Sequence, residues 1–289
     1  MKQRNFTGPN INFSGGFSGG SATESRGILW DLNTYKFRGQ FQASGETSPT
    51  GIWFKPDGTK LFVVGFSTDR IRSWDLTIPW DVTSATNPVA MAGVLLNTVG
   101  GAIGGTPTGV SFSNDGLYAF VTEQVNSVLF RYSLSTPWDL TTLNSTADQS
   151  NTSIYTSNLS PQSIWVRDDG LMFTTANSGT NVTVRVFTTT IANDITTLTL
   201  SDTGGASGTP VGAVWVDNGN KLLWVQQSTD IALVNSYANP YTFDSPVTVS
   251  QRTMTTQDTT PQDVYMPNDG TRFYYLGSAS DSIYQFTLD

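Results

Sequence analysis

Neither histidine nor cysteine occurs anywhere in this chain, so the acid–base chemistry open to it falls on carboxylates. Ser-His-Asp and Cys-His nucleophiles, histidine general bases, and imidazole or thiolate metal ligation are all removed. What remains is a pair of carboxylates of the kind that flanks a glycosidic bond. Asp57, Asp115, Asp169 and Asp269 form a recurring set, each followed by glycine. Aspartate before glycine between two apolar runs is a hairpin turn, because its side chain bonds its own backbone. Asp31, Asp75, Asp81 and Asp139 also sit inside repeated phrases and read as structural. Glutamate is confined to Glu24, Glu46 and Glu123. No EF-hand loop, phosphate-cradling loop or zinc pattern is present, and the glycine runs at 100–105 and 204–208 are loop inserts. The reading assigns no catalytic residue, no metal ligand and no cofactor, and expects a protein that is not an enzyme. A histidine-free glycoside hydrolase and a calcium ion in an Asp/Asn-lined channel are the residual alternatives.

The turn acids belong to a longer phrase, which sets the architecture. A proline precedes each turn residue by eight positions: Pro49 to Asp57, Pro107 to Asp115, Pro161 to Asp169, Pro210 to Asn218 and Pro261 to Asp269. The repeats therefore start near 49, 107, 161, 210 and 261, at intervals of 58, 54, 49 and 51 residues. A fixed local offset inside a loosely spaced repeat means one supersecondary unit copied around a scaffold, and periods near this length mark propeller blades. In each copy a first strand runs from the proline to the turn, alternating inward and outward (Ile52 and Phe54, Val110 and Phe112, and so on). A second strand follows the turn, as in 60–65 and 117–121, then a third, as in 70–76 and 127–134. A weaker fourth precedes the next proline, as in 89–96. Four antiparallel strands make a blade.

The last repeat stops after its third strand, and 35–42 lies where a fourth strand belongs before the first proline. Pairing the two closes the ring and removes open edges. The segment 27–32 echoes a third strand (Trp30-Asp31-Leu32 against Trp74-Asp75-Leu76) and is expected to be a spare N-terminal strand. The expectation is an all-β propeller of five four-stranded blades over 27–289, closed by N-terminal strand exchange, with an incomplete sixth blade as alternative.

Charged residues make up only 13% of the 289 and the formal charge is −8. Phosphate neutralisation needs clustered Lys and Arg, so nucleic acid is not expected as partner. No apolar run reaches the roughly 18 residues of a membrane span. The start, Met1 to Phe6, has no apolar stretch behind its basic residues, so no secretory signal is read.

A second phrase follows the third strand: Pro79-Trp80-Asp81 and Pro137-Trp138-Asp139, each Trp 23 residues after its turn Asp. The same count from Asn218 reaches Tyr241, while the third copy has decayed to Ile191-Ala192-Asn193-Asp194. Trp80, Trp138 and Tyr241 are read as packing plugs, because recurrence in one slot is what packing demands, with exposed sugar-stacking aromatics as the alternative. Together the phrases FKPDGTKLFVV, RSWDLTIPWDVTSAT and YSLSTPWDLTT resemble, over residues 27–289, a propeller repeat of proteins from tailed bacteriophages and marine bacteria. They are distantly similar to YVTN and NHL-like repeats. The resemblance implies a virion component in a tail, adsorption structure or head.

Residues 1–26 differ from the rest: Phe13-Ser14-Gly15-Gly16 is followed at once by Phe17-Ser18-Gly19-Gly20. Such composition does not fold alone, but Phe6, Phe13 and Phe17 punctuate it. We read a docking arm whose aromatics seat in other virion proteins, with a disordered tail as the alternative, and expect multiple copies in a symmetric assembly. The expected localisation is the virion, after synthesis in the host cytoplasm. The expected function is a structural or recognition component that serves host adsorption and contacts host-surface glycan. A lectin-like carbohydrate-binding propeller of a bacterial surface is the alternative.

Overall fold

The computed structural model describes residues 27–90, 105–155, 159–179, 182–205 and 208–288. Phe6, Phe13 and Phe17 of the expected docking arm lie outside the described residues.

Five four-stranded antiparallel sheets make up the fold. The first blade is β2 (Pro49–Phe54), β3 (Lys60–Gly65), β4 (Arg70–Leu76) and β5 (Ala85–Ala90). The second is β6 (Pro107–Phe112), β7 (Tyr118–Glu123), β8 (Val128–Ser133) and β9 (Gln149–Asn151). The third is β10 (Leu159–Val166), β11 (Met172–Gly179), β12 (Thr183–Thr188) and β13 (Thr199–Gly205). The fourth is β14 (Pro210–Val216), β15 (Lys221–Gln226), β16 (Ile231–Ser236) and β17 (Val247–Thr253). The fifth combines β18 (Pro261–Tyr265), β19 (Arg272–Gly277) and β20 (Ser282–Thr287) with β1 (Lys36–Gln42) from the other end of the chain. The ring therefore closes by strand exchange around five blades, with Lys36 opposite Thr287 and Gln42 opposite Ser282. Among the described residues no helix is long and apolar enough to cross a membrane.

The first strand of every blade is innermost, and these strands contact one another in ring order, β18 meeting β2. The expected alternation of inward and outward residues does not become an alternation of buried and exposed ones. All six residues of β2 and of β6 are buried, because each strand has a neighbouring blade on either side: β2 packs between β18 and β6, and β6 between β2 and β10. Pro at the strand start costs no ladder bond there. The next residue ties blades together: Thr50 Oγ donates to the Pro107 carbonyl at 2.8 Å, and Thr108 Oγ to that of Pro161 at 2.9 Å. Aromatic pairs fill the seams: Phe54–Tyr274 at 4.2 Å between centroids, Phe62–Phe112 at 4.3 Å and Phe120–Phe173 at 5.2 Å. Burying such rings supplies most of the adhesion between blades.

Two boundaries differ from expectation. The fourth strand of the first blade begins at Ala85 rather than near Val89, since the turn at Val82–Ser84 delivers the chain directly onto β4. The segment 27–32 is not a third strand. Leu32–Thr34 is a short 3-10 turn that Asp31 caps by accepting from the Asn33 N–H, the same cap that Asp81 and Asp139 provide. Trp30-Asp31 is thus another copy of the Trp-Asp loop, and the match to Trp74-Asp75 is coincidental.

Candidate functional site

All the turns after first strands, and all the Trp-Asp loops, lie at one end of the channel. At four of the five hairpins an aspartate Oδ1 accepts the N–H two residues on: Asp57 from Thr59, Asp115 from Leu117, Asp169 from Leu171 and Asp269 from Thr271, at 2.9–3.0 Å. Asp57 also pairs with Lys55 and Asp169 with Arg167, both at 2.7 Å. Partial burial pushes the Asp57 and Asp169 carboxyls up, but these cations and the local donors outweigh it and hold both below the usual aspartate range. These acids are spent on turn geometry.

Over each turn glycine lies the residue of the following loop. Trp80 covers Gly58, Trp138 covers Gly116, Asn193 covers Gly170, Tyr241 covers Gly219 and Trp30 covers Gly270. All five covering residues have positive φ, from 59° to 71°, a region costly for a side chain as large as Trp. A backbone bond holds four of them: the N–H groups of Trp80, Trp138, Asn193 and Tyr241 donate to the carbonyls of their glycines at 2.8–3.1 Å. In the fifth copy the hydroxyl of Tyr35 donates to the Gly270 carbonyl and accepts from the Trp30 N–H. Burial drives the Tyr35 phenol up to about 12, so it stays a donor. Asn193 fills the decayed copy, one residue later than the 23-residue count.

The plugs do not all face the same thing. Trp138 packs against Phe62 and Phe112. Trp80 and Tyr241 also line a depression of about 410 Å³ at the channel mouth, with Trp53, Trp165, Tyr265, Arg167, Asp168, Asn218 and Asn268. Of the four turn acids, Asp269 alone is among its lining residues. Its aromatic wall comes from a column that the sequence reading passed over: four positions after each repeat proline stand Trp53, Ser111, Trp165, Val214 and Tyr265. Aligning the five phrases by their prolines exposes it. Trp53 meets Tyr265 edge-on at 5.3 Å, Trp165 stacks near Tyr241 at 6.0 Å, and the Arg167 guanidinium lies 5.3 Å from the Tyr241 ring centre. Trp53 Nε1 is buried without a protein partner, a donor that a bound molecule or water would satisfy.

Below the mouth the channel narrows. Two positions after the prolines stand Gly51, Gly109, Ser163, Gly212 and Asp263. A Cβ on Gly51 would come within 2.9 Å of Gly109 Cα, and one on Gly109 within 2.6 Å of Ser163 Cα, so the backbones touch here. Asp263 is the one acid in this ring. Its Oδ2 accepts the Ile52 N–H at 2.9 Å and its Oδ1 the Val264 N–H at 2.8 Å, tying the fifth blade to the first. Burial pushes its carboxyl up to about 8 against these two donors.

The opposite end holds other buried acids. Glu46 accepts from the Ser48 and Ser67 N–H groups and the Thr68 hydroxyl. Glu123 accepts from Thr106, Val125 and Asn126, and Asp258 from Thr260, Ala279 and Ser280. They staple the hairpins between second and third strands. Among the described residues no group of three or more Asp or Glu is arranged to hold a metal ion.

No protein-family model and no curated protein matches the sequence. Solved structures do match in fold. One is a structure of the mitotic checkpoint complex, at 13% identity and TM-score 0.50 over 82% of this chain and 73% of that one. Another is the nidogen/laminin complex, at 14% and 0.50 over 75% and 69%. A third is the periplasmic gluconolactonase of Pseudomonas aeruginosa, at 16% and 0.44 over 70% of this chain and 53% of that one. The chain thus spans about half the length of that neighbour. At such identities the likeness shows the fold alone: a β-propeller. It nonetheless corrects one expectation. Propellers named as gluconolactonase or 6-phosphogluconolactonase are among the matched structures, and the statement that the chain is not an enzyme is withdrawn.

Proposed function

We propose that this chain is a recognition propeller that binds a saccharide in the aromatic mouth of its channel, and that it does so as a component of a tailed-phage virion during host adsorption. One observation carries the binding half: Trp53, Trp80, Trp165, Tyr241 and Tyr265 converge on one depression together with Arg167, Asp168, Asn218 and Asn268. Aromatic faces take the C–H faces of a sugar ring, and planar polar side chains take its hydroxyls, which is the composition of a small-molecule site. The adsorption half is supported by the resemblance of the repeat phrases to phage propellers, with residues 1–26 as the arm that attaches the domain to its neighbours.

A glycan array with the purified protein tests the binding, and Trp165→Ala and Trp138→Ala tell the mouth from the scaffold. Saccharide binding that is lost in Trp165→Ala and kept in Trp138→Ala is the expected result. Failure to bind any glycan, or equal binding by both variants and the parent, would sink the reading. Incorporation into particles of a chain lacking residues 1–26 tests the arm, and undiminished incorporation would refute it.

A further inference from the structure

The polar groups around the mouth differ in how far the fold already uses them. Arg167 is spent: its Nε donates to Asp169 Oδ1 at 2.9 Å and its terminal nitrogen pairs with Asp169 Oδ2 at 2.7 Å. Its charge is thus matched by a carboxylate outside the lining residues. Asn218 and Asn268 hold each other, the Asn218 N–H donating to Asn268 Oδ1 and the Asn268 amide to Asn218 Oδ1, both at 2.9 Å. Asp269 gives Oδ1 to the N–H and hydroxyl of Thr271 at 3.0 Å, and its Oδ2 takes no part in those bonds. Asp168 is exposed and, among the described residues, accepts no hydrogen bond and joins no ion pair. The turn does not require an acid at that position, where other repeats carry Pro56, Asn114 and Asn268. The remaining copy, Asp217, is paired with Lys221.

Two carboxylates therefore line the mouth without a matching cation among its lining residues, on a chain whose formal charge is −8. The cations nearby are engaged elsewhere. Lys55 pairs with Asp57 at 2.7 Å, and Arg272, whose Nε donates to Thr271 Oγ1 at 3.2 Å, lies 5.7 Å from the Trp80 ring centre and lines the adjoining groove instead. The aromatic wall agrees in sign with the acids. Tyr265 stands at its centre, 5.3 Å from Trp53 and 6.4 Å from Trp80 between ring centres. Burial, and after it the charges of Asp168 and Asp269, push the Tyr265 phenol up, so both carboxylates act on one ring of the wall. Ring faces attract cations, and a cleft lined by one sign of charge concentrates ligands of the other. A separate sign of a ligand is Trp53, 7% exposed, whose Nε1 is a donor with no protein partner. A neutral sugar would use the rings and that donor and leave both carboxylates idle.

We infer that the saccharide of the mouth is an amino sugar, its ring on the aromatic wall and its ammonium held by the carboxylates of Asp168 and Asp269. The inference rests on the saccharide reading of the mouth and names the class of sugar. Its test uses three β-1,4-linked oligosaccharides that differ at C2, with an ammonium (glucosamine), a hydroxyl (glucose) or an acetamide (N-acetylglucosamine). Each is titrated calorimetrically onto the full chain at a pH where the amine is protonated and aspartate ionised. The ammonium form should bind about tenfold more tightly than either neutral form at low salt, a margin typical of one charge-assisted contact, and the margin should shrink as salt rises. Asp168→Asn and Asp269→Asn should each narrow it. The first removes a charge that makes no bond in the fold, and the second keeps an acceptor for Thr271. Asp139→Asn removes the same charge away from the mouth and should leave the margin as in the parent. Charged and neutral forms bound equally by the parent would overturn the amino-sugar preference and leave the mouth standing. So would a margin untouched in both mouth variants, or one narrowed as much by Asp139→Asn, which would assign it to the overall charge of the chain. If no member of the series binds, the amino-sugar reading falls, and the mouth reading falls with it only if the glycan array is blank as well.

Discussion

The N–H of Trp80 donates to the carbonyl of Gly58 at 2.8 Å, and the Trp80 indole lies so close over that glycine that an added Cβ would sit 2.4 Å from ring atoms. One residue thus holds the turn by its backbone and seals it by its side chain. Because Gly58 also has φ +74°, Gly58→Ala meets both a conformational cost and a clash. Urea denaturation should show a loss of about 3 kcal/mol. A loss under about 1 kcal/mol would mean that the plug yields easily and does not define the blade.

Trp138 occupies the same slot in the second blade, half-buried against Phe62 and Phe112. Truncating it to alanine should cost about 2–3 kcal/mol, less than for a fully buried Trp. A variant as stable as the parent would show that the slot is filled without being needed.

Strand exchange makes a sharp expectation about truncation. A chain starting at residue 27 retains β1 and should elute as a compact, non-aggregated species in size-exclusion chromatography. A chain starting at residue 43 leaves β20 as an open edge and should aggregate. Identical elution of the two would contradict the closure.

Asp263 gives the propeller a pH dependence whose sign is set. Its folded pKa of about 8 lies above the usual aspartate value of 3.8, so the folded state holds a proton that the unfolded state releases. The resulting stability is full below about pH 4, falls as pH rises, and is gone above about 8. Asp263→Asn removes the ionisation while keeping an acceptor for Ile52. The melting temperature of the variant should therefore gain on that of the parent between pH 5 and 8.5. Parallel curves across that range would show that the buried carboxyl does not titrate there.

The reach of the sequence follows from how each feature is encoded. The Pro-to-Asp-Gly phrase is local, so the blades, their number and the closing strand could be read from it directly. The Trp-Asp loops were legible where both residues persist, at Trp80 and Trp138. They were misread at Trp30, because Trp-Asp-Leu also fits the third strand, and hidden at Asn193, where side chain and spacing both changed. The mouth was legible in principle, in the column from Trp53 to Tyr265, but the alternation was read from Ile52 and Phe54, which left the intervening Trp53 column on the other face without a role. Asp263 was concealed: nothing local separates it from the glycines at the same position of other repeats.

The most direct measurement of the central proposal is hydrogen–deuterium exchange of the full chain with and without a bound saccharide. Protection is expected at the mouth, in 53–56, 165–168, 214–218 and 265–269, with the far-end turns at 66–69, 124–127 and 278–281 unchanged. Protection confined to those far-end turns or to the outer strands would contradict it.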